Sequence, residues 1–178
     1  MTITEALAEI KTILKRLESK REFVRTYQFR VDSLKDPLEK DGGSAKAVAE
    51  ANQAISDLEL RIVQLRMAIQ HANEHNHITV EGVEKPISDW LVWRREIAPG
   101  QERFVNDLAQ RLVAARQSVT GQKYRWGADP KQDDKPVDIV VNIDEAKLSV
   151  DKEKIKNILG TLDGQLSMKN ATIQLIGV

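Results

Sequence analysis

Ser44-Ala-Lys-Ala-Val-Ala-Glu-Ala-Asn-Gln-Ala-Ile-Ser-Asp-Leu-Glu-Leu-Arg-Ile-Val-Gln-Leu-Arg-Met-Ala-Ile-Gln-His-Ala-Asn-Glu-His-Asn76 decides how the chain is read. Val48, Ile55, Ile62 and Ile69 recur every seven residues, and Ala51, Leu58, Leu65 and Ala72 interleave with them. Four heptads without a charged intruder predict one amphipathic helix over 44–76, with Ser44 as N-cap and Asn76 as C-cap. A second set, Leu60, Val63 and Met67, lies off this stripe and calls for a further apolar contact.

Upstream, Thr2 and Glu5 form a capping box. Ile3, Ile10, Leu17, Val24 and Val31 then alternate with Ala6, Ile13, Tyr27 and Leu34, Lys20 being the polar interruption. A helix over 2–35 is expected, a rod of roughly 50 Å at 1.5 Å per residue. Asp36-Pro37 and Asp41-Gly42-Gly43 mark the turn, so the two helices should pair as an antiparallel hairpin. Leu7 and Leu14 widen the apolar face at the end that also carries Leu60, Val63 and Met67. That end needs a covering layer, from the rest of the chain or from another subunit.

Downstream, 78–87 reads as a β-turn excursion bent at Gly82. A third helix over 88–118 is capped by Ser88, broken or restarted at Pro99, and carries Trp90 and Trp93. Residues 120–136 read as a polar loop and 137–178 as a small α+β appendage. In that appendage Val137, Ile139, Val141 and Ile143 suggest a strand, 151–169 a helix weakened by Gly160 and Gly164, and 172–176 a second strand. The expected fold is mainly α: an elongated antiparallel helical hairpin plus a third helix, with a small α+β C-terminal part. Residues 1–119 form the bundle in this division.

The 27 Lys+Arg and 27 Asp+Glu cancel, which argues against a chain-wide nucleic-acid or anionic-membrane binder. Counted by segment, 1–40 carries nine cations and seven anions, 41–77 three and five, and 78–178 fifteen of each, so neutrality is local as well. No cysteine is present, so disulfides, thiolate metal sites and a catalytic thiol are excluded. No apolar run approaches the roughly 20 residues of a membrane span, and no signal peptide is expected. The expected location is the cytoplasm, or a virion if the chain is phage-encoded.

Three constellations carry chemistry. His71, His75 and His77 are the chain's only histidines, and His71-Ala-Asn-Glu-His75 spells the pattern of inverted zinc peptidases, with Glu74 as general base. The plainer reading is a set of polar helix-end residues. Lys123-Tyr124-Arg125-Trp126 combines cations with rings that could stack bases, or else pins a loop to the core. Trp90 and Trp93, with Leu60, Val63 and Met67, either form a partner interface or fill a layer between helices. No phosphate-cradling loop is present and no cofactor is implied.

Leu162-Asp163-Gly-Gln-Leu166-Ser167-Met-Lys-Asn170-Ala171-Thr172 resembles the closing motif of the septicolysin-like family, small helical proteins of bacteria and some phages with no established activity. Ser167 and Ala171 stand where that family has Gln and Trp. Val80-Glu81-Gly82 leading to Ile87-Ser-Asp-Trp90-Leu91 is similar to its turn into a third helix. The resemblance implies a helical, oligomeric protein and transfers no functional residue. The sequence thus favours a non-enzymatic protein that self-associates or joins a larger assembly, such as a phage particle. A metal-dependent hydrolase on 71–75 and a nucleic-acid accessory on 123–126 are the alternatives.

Overall fold

The structure, a computed structural model, describes residues 1–122 and 139–177. It is mainly α, with one small antiparallel two-stranded sheet. The elements are α1 (Ile3–Tyr27), a 3-10 turn (Glu39–Asp41), α2 (Ser44–His75), β1 (His77–Val80), β2 (Val83–Pro86), α3 (Ile87–Val92), a π turn (Trp93–Ile97), α4 (Ala98–Gln122) and α5 (Glu145–Thr172). They form two compact units, one of residues 1–77 with 165–178 and one of residues 78–164.

In the first unit α1 and α2 pair as the hairpin that their stripes predict. The capping box at Thr2 is in place: Glu5 N–H donates to Thr2 Oγ1 at 3.2 Å, and Thr2 N–H donates to the Glu5 carboxylate at 2.7 Å. That backbone N–H is the main reason the Glu5 carboxyl titrates below its ordinary value. Ile3, Ala6, Ile10, Ile13 and Leu17 of α1 are buried with Leu65, Ile69 and Ala72 of α2. The C-terminal tail closes the same core. Leu175 is buried in it, Thr2 and Gln174 form an antiparallel bridge, and Leu175 N–H donates to the Met1 carbonyl at 2.8 Å. The tail closes the end of the buried stripe, while Leu7, Leu14, Leu60, Val63 and Met67, for which a covering layer was expected, stay exposed.

Two details depart from the sequence reading. α1 stops at Tyr27 instead of running to 35, and Val31 and Leu34 are exposed. At its start the α2 stripe that faces α1 offers only Val48 and Ala51, so extending α1 would bury little apolar area. Nor is Ser44 the N-cap. Gly43 holds that position at φ +93°, and Ser44 is the first helical residue, buried with its N–H and hydroxyl both given to Asp36.

In the second unit β1 and β2 are joined by Glu81 (φ 48°) and Gly82 (φ 78°), the two positive φ values of a type I′ turn. Val80, Ile78, Ile87, Trp90 and Ala98 form the buried floor there. Pro99 does not break the third helix. Ala98 N–H bonds to the Trp93 carbonyl, a five-residue reach, and the widened turn carries the helix past a proline that cannot donate. Arg116 of α4 forms a bidentate pair with Glu145 of α5, and Arg94 of the π turn reaches Asp163 of α5 at 2.9 Å.

The small α+β C-terminal part is also different in detail. Described residues 139–143 form no strand, and the tail after α5 makes a single bridge. The helix expected over 151–169 runs from 145 to 172, through both Gly160 and Gly164. Among the described residues the sheet is the 77–86 hairpin. The division into units also differs from the expected 1–119 bundle and 137–178 appendage, since residues 165–178 join the hairpin while 78–119 belong to the other unit.

Candidate functional site

Leu60, Val63 and Met67 are 59%, 52% and 65% exposed. At about 100° per residue they share an arc of about 60°, roughly 160° around α2 from the stripe buried against α1. The same outer arc, from residue 49 to residue 71, also takes in Ala49, Asn52, Gln53, Ser56, Gln64, Gln70 and His71, all of them exposed. No Asp, Glu, Lys or Arg falls on it. Charged side chains keep to the flanks, where Arg61 meets Glu9 at 2.8 Å and Glu59 meets Arg21 at 2.7 Å. A charge-free band centred on three large apolar side chains has the composition of an interface core with a polar rim.

Trp90 and Trp93, expected to belong with that interface, lie in the other unit, and Trp90 is buried. Its indole N–H donates to the Ile78 carbonyl at 3.1 Å, and its ring meets that of Trp93 edge-on at 5.9 Å. Trp90, expected at a partner interface, instead fills a layer between elements. Trp93 is half-buried on the π turn and lines a half-open groove of about 780 Å³ between the third helix and α5. Phe104, Leu108, Leu148 and Ile158 continue its apolar walls, and Val105 and Ile155 are buried beneath. Lys85, Lys147 and Lys154 line it too, and all three are exposed. This groove was not legible from the sequence, because its lining comes from four separate segments.

The three histidines do not assemble into a metal site. His71 and His75 stack with ring centroids 4.1 Å apart, and His75 Nδ1 lies 2.8 Å from the His71 carbonyl oxygen. Gln70 donates to the Glu74 carboxylate at 2.9 Å. Asn76 ends α2 in an extended conformation, so His77 starts β1 on a different course. Among the described residues no three His, Asp or Glu side chains are grouped so as to hold a metal ion. Lys123, Tyr124, Arg125 and Trp126 lie outside the described residues.

No helix among the described residues is long and apolar enough to cross a membrane. Comparison with known proteins adds no relative: no family model, no curated protein and no solved structure matches the chain. The resemblance at residues 80–91 and 162–172 rests on those residues alone.

Proposed function

We propose that this protein is a non-enzymatic assembly subunit that pairs with a second copy of itself through the outer face of α2. The observation that carries the reading is the charge-free band of α2 centred on Leu60, Val63 and Met67. A band without charge meets its own copy with no like-charge penalty, and a two-fold pairing is the commonest closed symmetry. Antiparallel pairing sets Leu60 of one copy near Met67 of the other, with Val63 and Gln64 at the axis. Leu60, Val63 and Met67 of each copy would then be covered while the Asn, Gln and Ser side chains remain at the rim.

Light scattering on the purified chain at tens of micromolar tests it. The expected mass is a multiple of 20.1 kDa, falling to 20.1 kDa in Val63→Glu, whose far-UV circular dichroism stays that of the wild type. A wild-type protein that is strictly monomeric at that concentration overturns the reading. Membership in a phage particle or its assembly machinery is the concrete setting we attach to it, and capsid and tail genes beside this one would support that setting.

A further inference from the structure

The groove on the second unit has the build of a ligand site. Its volume of about 780 Å³ lies within the range of small-molecule pockets, and its walls are aromatic and aliphatic. Phe104 is 64% exposed, an unusual degree for a phenylalanine that already has apolar neighbours in Trp93 and Leu108. The charged lining is uneven. Lys85, Lys147 and Lys154 face two carboxylates, Asp144 and Asp151. Asp144 is committed to the start of α5, where its Oδ1 accepts the Lys147 N–H at 3.1 Å. Three ammonium groups against two carboxylates leave the lining with a surplus of one positive charge, and none of these lysines makes an ion pair among the described residues. Lys85 Nζ instead sits 5.3 Å from the centroid of the Trp90 ring, a cation held against the apolar floor.

From this we infer that the groove binds a small amphiphile with one anionic head group, a carboxylate or phosphate on an alkyl or fused-ring body. The apolar body fills the space between Trp93, Phe104 and Ile158, and the head group is met by the flexible lysines. A cationic head group would meet three like charges against two carboxylates. An uncharged one would gain the apolar contact without the attraction. The site is independent of the α2 face, since all of its lining lies within residues 78–164.

The test is calorimetric titration of the full chain with dodecanoate, dodecyl phosphate, dodecyltrimethylammonium and dodecyl maltoside, each below its micellar concentration. Dodecanoate and dodecyl phosphate are expected to bind once per chain, about tenfold or more tighter than the cationic analogue. Binding by one anion and not the other narrows the head group to carboxylate or phosphate. In the triple variant Lys85→Gln, Lys147→Gln, Lys154→Gln that preference should disappear while the fold, read by circular dichroism, is retained. Phe104→Ala should weaken all the amphiphiles that bind, and Val63→Glu should leave binding unchanged. Equal affinity for the anionic, cationic and neutral amphiphiles, several weak sites per chain, or no heat with any of them would overturn the inference.

Discussion

Asp36 accepts two hydrogen bonds from Ser44, one from its backbone N–H at 2.8 Å and one from its hydroxyl at 2.5 Å. A third comes from Leu38 N–H at 2.9 Å. One carboxylate thus ties the end of the linker to the first residue of α2 from eight positions upstream. The Ser44 hydroxyl is the main reason its pKa falls below the ordinary value, followed by the two backbone donors. A carboxyl whose folded pKa is depressed stabilises the fold above its unfolded pKa. That contribution disappears as the pH falls from about 4 through the folded value. The expected outcome is that Asp36→Asn melts a few degrees below the wild type at pH 7, the gap closing as the pH is lowered past that window. Thermal denaturation followed at 222 nm over a pH series reads it.

Leu65 and Leu60 stand five residues apart on α2 and should behave oppositely. Leu65 is fully buried between the helices, whereas Leu60 is 59% exposed. Leu65→Ala removes a packed side chain and leaves a cavity, at a cost of about 2–5 kcal/mol in urea denaturation at any protein concentration. Leu60→Ala should change the stability of the monomer by no more than about 0.5 kcal/mol. Its effect should grow with protein concentration, because what it weakens is the contact between copies. A large, concentration-independent loss in Leu60→Ala would show that the residue is packed within its own chain.

Gly160 and Gly164 lie inside α5, and a Cβ added at either meets no atom within 4 Å. Neither glycine has a positive φ. Each therefore carries the backbone-entropy cost of a helical glycine with no close approach to justify it. Gly160→Ala and Gly164→Ala should each stabilise the chain by roughly 0.5–1 kcal/mol, additively or nearly so. Destabilisation of the double variant in chemical denaturation would mean that something else approaches this face.

How far the sequence revealed this protein depends on the kind of information that periodicity encodes. The α2 stripe reads correctly because every heptad position on it is apolar and most of them find a partner in α1 or the tail. The same periodicity in Val31 and Leu34 misleads, since it names the face that would be buried and says nothing about whether a partner lies opposite. Thr2 with Glu5 and the bend at Gly82 were legible because cap and turn chemistry is local. The role of Asp36 was not, because a side chain capping from eight residues away leaves no short motif. The histidines look like ligands by spacing alone. Their stacked rings and the turn at Asn76 are consequences of geometry at a helix end. The groove needed Lys85, Trp93, Phe104 and α5 side chains brought together, which no linear pattern announces.

The π turn offers the last test, because it links a local sequence feature to the groove. Pro99 cannot donate a backbone hydrogen bond to Arg95, and its ring would crowd that carbonyl in a regular helix. The widened turn Trp93–Ile97 relieves this, with Ala98 N–H taken by the Trp93 carbonyl. Each extra residue in a turn rotates the helix on its N-terminal side by about 100° relative to the helix on its C-terminal side. Pro99→Ala restores the donor and removes the clash, so the helix can return to four-residue bonding. Trp90 and Trp93, both on the N-terminal side, should then turn together relative to Phe104 on α4. The far-UV circular dichroism should stay at the wild-type level, while the near-UV tryptophan bands change and dodecanoate affinity falls. Unchanged near-UV bands would show that the turn is held by the burial of Ala98, which is 1% exposed, and not by the proline.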